Sequence, residues 1–138
     1  MKTTIILGTL FCFIFLIGCN NINPETLYTP SEVFKAKESL VDQEINVMGK
    51  TSSNHVACTL MGCVDSPCCN SCGGSLALED SVGSIEVRGY INGEQIFCGG
   101  NECDISCNGF ELDKTYKIKG IWKEDKYGYY LEFQKLVI

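Results

Sequence analysis

Thr115-Tyr116-Lys117-Ile118-Lys119-Gly120-Ile121-Trp122-Lys123, followed after a turn at residues 124–128 by Tyr129-Tyr130-Leu131-Glu132-Phe133-Gln134-Lys135-Leu136-Val137, decides the fold. In the first segment Tyr116, Ile118, Gly120 and Trp122 take one side of a two-residue period, and Lys117, Lys119, Ile121 and Lys123 take the other. In the second, Leu131, Phe133 and Val137 alternate with Tyr130, Glu132 and Gln134. Successive side chains of a strand leave opposite faces, so this alternation predicts a terminal β-hairpin with one face in a core.

The same period runs upstream. Residues 84–91 predict a strand with Ile85, Val87, Gly89 and Ile91 opposed to Glu86, Arg88 and Tyr90. Residues 75–79, with Leu76 and Leu78 on one face, form a hairpin with it through residues 81–83. Ile45, Val47 and Gly49 alternate with Asn46, Met48 and Lys50 in the first of the five strands. Ahead of it, Thr29-Pro30-Ser31-Glu32 has the form of a capping box with proline at the first helical position. A short helix to about residue 38 is expected, with Val33, Phe34 and Leu40 turned inward as a lid.

Five short strands, a long first connection, a hairpin, another long connection and a terminal hairpin resemble the partly open Greek-key barrel of the OB-fold over about residues 40–138. The fold class expected is therefore all-β: a small five-stranded OB-like barrel with a short N-terminal helix and disulfide-stapled loops. A different small barrel or sandwich is the alternative. Residues 92–114, where OB-folds usually carry a helix, read as irregular and cysteine-rich.

Leu16-Ile17-Gly18-Cys19 ends an apolar run that begins at Ile5, with Lys2 ahead of it, and resembles a bacterial lipobox. The thirteen apolar-rich residues 5–17 fall short of the roughly 20 that a spanning helix needs. The resemblance implies a lipoprotein signal peptide over residues 1–18 and diacylglyceryl on Cys19. A lipidated tether would follow over residues 19–28, then one domain over 29–138. Two acyl chains anchor stably, whereas one is marginal. The implied location is the cell envelope, at a cell membrane or outer membrane on its extracytoplasmic side.

Of ten cysteines, Cys12 falls in the signal and Cys19 at its cut, leaving Cys58, Cys63, Cys68, Cys69, Cys72, Cys98, Cys103 and Cys107. An even, dense set in a small exported domain reads as a disulfide framework. Five of them lie between residues 51 and 74 and three between 92 and 114, so full pairing requires at least one bridge between the segments. Adjacent Cys68 and Cys69 should take different partners, because a ring through one peptide bond departs from ordinary disulfide geometry. The rest of the connectivity stays open. Two other chemistries use the same residues: thiolate ligation of zinc or an iron-sulfur cluster, and thiol-disulfide exchange at Cys69-Asn70-Ser71-Cys72. Only one such two-residue spacing occurs, and Gly73-Gly74 follows it at once, leaving no helix N-terminus to stabilise a thiolate. No metal or other cofactor is expected.

The formal charge is −6, and removal of Lys2 with the signal makes it −7. That balance disfavours nucleic acid, whose binders neutralise phosphates. No nucleophile motif, phosphate loop or carboxylate pair is present, so a binding or structural module rather than an enzyme is expected, monomeric, with a protein, peptide or glycan ligand in the envelope. The OB resemblance implies a ligand face with Arg88, Tyr90, Trp122 and Tyr127, where aromatic rings beside a cation suit stacking. A core Trp122 and a solvated Arg88 are the structural alternative. Lysines 114, 117, 119, 123 and 126 read either as a steering face or as a solvated edge, and His55 as a surface residue.

Overall fold

The computed structural model describes residues 25–64 and 67–138; the expected signal peptide, Cys19 and the expected tether up to residue 24 lie outside that range. The described chain is mostly β-structure. Its elements are β1 (Leu27–Tyr28), α1 (Pro30–Lys35), α2 (Lys37–Leu40), β2 (Glu44–Cys58), β3 (Ser71–Glu79), β4 (Ser84–Arg88), β5 (Tyr90–Ile91), β6 (Glu94–Gln95), β7 (Cys98–Asn101), β8 (Asp104–Cys107), β9 (Thr115–Asp125) and β10 (Gly128–Leu136).

Alternating apolar residues bring five strands around one core. β2 pairs antiparallel with both β3 and β9, β9 with β10, and β3 with β4, while β10 runs parallel to β4. The ring β2-β3-β4-β10-β9 thereby returns to β2. Ile45, Val47, Leu76, Leu78, Ile85, Val87, Ile118, Trp122 and Leu131 fill it, all nearly inaccessible to solvent. Each large aliphatic side chain so buried contributes about 1.5–3 kcal/mol, which is how short strands overcome their ordering entropy.

Three further strands correct the expected count of five. β1 adds parallel to β2, β7 adds antiparallel to β3, and β8 pairs with β7, making an eight-stranded sheet; β5 and β6 form a separate two-stranded hairpin. Residues 92–114 are therefore not irregular throughout. Their strands are two to four residues long, with glycine and asparagine confined to β7 (Cys98-Gly99-Gly100-Asn101), and a covalent cross-strand pair, Cys98 opposite Cys107, holds β7 to β8 in place of an apolar face.

Other boundaries also shift. Leu27 and Tyr28, assigned by sequence to the tether, pair with Asn46 and Val47. The helical stretch consists of two short pieces divided at Ala36, and Phe34 is 53% exposed, under the Lys37 ammonium, instead of facing inward. A bulge between Phe133 and Lys135 changes the phase of β10, so that Leu136 is set opposite Ile118 and packs on the core.

At α1, Thr29 Oγ1 accepts from the Glu32 amide and the Glu32 carboxylate accepts from the Thr29 amide. Pro30, Val33 and Leu40 are buried against one end of the barrel. Asp80, in the β3–β4 turn, ties this end together by accepting from the amides of Ser31 (2.8 Å), Val82 (2.7 Å) and Gly83 (2.8 Å). Burial acts to raise the Asp80 pKa, but the hydrogen bonds from Ser31, Val82 and Gly83 together outweigh it and hold the carboxyl well below the usual range. With its folded pKa below the unfolded value of about 3.9, its contribution is complete above that pH and is lost as pH falls through the depressed folded value. Urea midpoints measured from pH 6 down to pH 2 are expected to fall less steeply in an Asp80→Asn variant than in the parent chain.

Candidate functional site

The four residues expected at a ligand face divide into three settings. Trp122 is fully buried; its indole N–H donates to the Lys37 carbonyl at 3.0 Å and its ring stacks on Tyr129 with centroids 5.9 Å apart. It is a core residue and is unavailable for ligand stacking. Arg88 binds the Glu86 carboxylate at 2.6 Å and the Asp125 carboxylate at 2.7 Å, and lies over the Tyr130 ring. Tyr127 is exposed on the β9–β10 turn, its amide donating to the same Asp125 at 2.8 Å. Asp125 thus joins Arg88 to the Tyr127 turn, but the guanidinium is already occupied by two carboxylates.

Tyr90 lies in the other direction, past Gly89. At that glycine φ is +134°, and an added Cβ would meet the Phe133 Cβ at 3.3 Å and its backbone at 3.4 Å. Here β4 ends. Its parallel register with β10 runs from Glu86 opposite Tyr130 to Arg88 opposite Glu132 and goes no further, whereas β10 stays paired with β9 on its other edge as far as Leu136 opposite Ile118. The barrel therefore opens along a seam.

A groove of about 460 Å³ occupies the seam, within the size range of small-ligand sites. Tyr90, Ile91 and Asn92 form one wall, Phe133, Gln134, Lys135 and Leu136 the other, and Gly109 completes the lining. Side chains alternate along a strand, so four consecutive lining residues mean that the groove runs beside the backbone edge of β10 and not along one face. Ile91, Phe133 and Leu136 supply half-buried apolar surface, and Phe133 is steadied edge-on by Phe110 at 5.9 Å. Lys135 is the one charged residue of the lining. A second hollow, beside Phe97 and Asn108, is less available: the Asn108 amide already accepts from the Phe97 N–H and donates to the Gln95 carbonyl, both at 2.7 Å.

Sequence reasoning reached Tyr90 alone of these lining residues. Two signals mark the others. Phe133-Gln134-Lys135-Leu136 breaks the two-residue period, as a bulge does, and Asn92-Gly93 is a hairpin-turn dipeptide, here with φ of 53° and 85°.

At the far end of β2 the cysteines form four bridges: Cys58–Cys72, Cys63–Cys69, Cys68–Cys103 and Cys98–Cys107. Cys68–Cys103 joins the two cysteine-rich segments, and Cys68 and Cys69 take different partners. Asn70, 8% exposed, organises the intervening loop by accepting from the Thr59 hydroxyl (3.2 Å) and the Met61 amide (2.7 Å) and donating to Glu102 (2.8 Å). Cys69 and Cys72, weighed as a redox or metal pair, are divided between two bridges, so neither offers a thiolate in this state. Within the lysine stretch, Lys119 is paired with Glu44 and Lys123 with Asp42. His55 is exposed at a bulge of β2 with φ of 51°.

Disulfides of this density belong to an oxidising, extracytoplasmic setting. Among the described residues no helix is long and apolar enough to cross a membrane. No protein-family model, curated protein or solved structure matches the chain.

Proposed function

We propose that this chain is an exported lipoprotein, held to the cell envelope through Cys19, whose disulfide-stapled barrel is a binding module rather than an enzyme. The observation that carries the reading is the joining of all eight cysteines of residues 29–138 in four bridges, which requires a compartment beyond the reach of cytoplasmic reductants. The lipobox-like Leu16-Ile17-Gly18-Cys19 gives that export a route and an anchor.

On this reading the barrel is of OB type, extended by three strands outside the ring; the closure of the ring by parallel β4 and β10 supports it. The tether enters the fold at β1, opposite Asn46 and Val47, whereas the bridges gather beyond Cys58. Twelve residues of β2 separate those points, at most about 40 Å at 3.3 Å per residue. Anchoring at Cys19 puts the β1 end of the fold nearest the point of attachment and leaves the barrel surface open to envelope partners.

The test is a Cys19→Ser variant expressed in a bacterial host supplied with labelled palmitate. The parent chain is expected in the membrane fraction carrying label, and the variant without label and released from that fraction. Equal labelling and partitioning of the two would refute the anchor.

A further inference from the structure

We propose that the seam groove takes up an extended peptide bearing a carboxylate, bound as an added strand along Gln134–Leu136. This deepens the binding-module reading and rests on it. The first ground is the backbone: past Glu132 no strand pairs with the seam side of β10 among the described residues, and the groove follows that edge through consecutive residues. A strand edge offers N–H and C=O groups at a fixed spacing, and an extended chain is the ligand that meets them at that spacing.

Charge complementarity is the second ground. Lys135 stands opposite Lys119 across β9 and β10. Lys119 is neutralised by Glu44 at 2.6 Å, while no ion pair engages Lys135 among the described residues. In a chain of formal charge −6, the seam thus presents a cation with no carboxylate in its lining. The missing counter-charge is assigned to the peptide, as a terminal carboxylate or an acidic side chain. Ile91, Phe133 and Leu136 then receive alternate apolar side chains of the bound strand, and Asn92 and Gln134 face its polar positions.

Because the affinity is assigned to backbone and charge, a generic sequence serves as the probe: a fluorescein-labelled pentapeptide of alternating threonine and valine with a C-terminal glutamate. It is titrated against the full mature protein in detergent and followed by anisotropy and by amide hydrogen exchange. Saturable binding is expected, with exchange at Gln134–Leu136 slowed at least tenfold. A companion peptide carrying glutamine and an amidated end should bind about tenfold more weakly, and one N-methylated at alternate residues should not bind. Exposed Lys135→Glu, which leaves the core intact, should abolish the preference for the acidic peptide. Absence of saturable binding, equal binding of the N-methylated peptide, or an unchanged preference in Lys135→Glu would overturn the proposal. So would a dimer whose interface protects Gln134–Leu136, which would give the seam to a second copy. Membrane release by Cys19→Ser is read separately, so failure of the anchor and failure of the groove are distinguishable.

Discussion

A Cys68→Ser, Cys103→Ser double variant is expected to lose about 4 kcal/mol of stability, more than removal of either short-range bridge. Cross-linking stabilises largely by restricting the unfolded chain, and the effect grows with the logarithm of the loop closed. Cys68–Cys103 spans 35 residues, against 6 for Cys63–Cys69 and 9 for Cys98–Cys107. The same entropy model gives only about 2–3 kcal/mol for those two. It is also the only bridge between the two cysteine-rich segments, and its loss frees the β7–β8 turn, where Asn101 Oδ1 accepts from the Cys103 and Asp104 amides. In a domain of this size the change corresponds to a melting temperature lower by roughly 15 °C or more. Urea titration of the three double-serine variants checks the order; a smaller loss for Cys68–Cys103 than for Cys63–Cys69 would contradict it.

Trp122→Ala should be comparably severe, at about 3–5 kcal/mol, the usual cost of truncating a buried tryptophan. The indole is wholly enclosed, stacks on Tyr129, and holds α2 to β9 through its N–H bond to Lys37. Trp122→Phe separates these contributions: it keeps most of the apolar contact and leaves the Lys37 carbonyl without its donor, at a cost of about 1–3 kcal/mol. Circular dichroism, used because Trp122 is the sole tryptophan, should show urea midpoints falling in the order parent, Trp122→Phe, Trp122→Ala. Retention of the parent midpoint by Trp122→Ala would mean that the residue is not in the core.

The legible parts of the fold were those with apolar alternation. Ile85-Glu86-Val87, Ile118 with Trp122, and Leu131 with Phe133 each declare a strand and its inward face because water separates the two faces of a half-buried sheet. β7 and β8 declare nothing of the kind: Cys98-Gly99-Gly100-Asn101 is strand because Cys98 is bonded to Cys107 and lies against β3, and both causes are non-local. Cysteine parity required a cross-segment bridge but could not select Cys68 and Cys103. The seam was half legible. Tyr90 was reached through the OB resemblance, whereas the lining residues Gln134 and Lys135 depend on a bulge whose mark is a single skipped alternation, and the opening depends on where β4 leaves β10 at Gly89. The setting of Arg88 is not legible locally, because its two carboxylate partners are distributed between its own strand and the β9–β10 turn.

Four specific bridges close this β-domain and suit it to an oxidising compartment. Mass-spectrometric mapping of peptides from a non-reducing digest, with thiols blocked on the intact cells, reads these bridges in the native protein. Four linked pairs are expected, Cys58 with Cys72, Cys63 with Cys69, Cys68 with Cys103 and Cys98 with Cys107, and no blocked cysteine among the eight. Stoichiometric blocking of these thiols, or a Cys69 to Cys72 link in the native protein, would contradict this expectation.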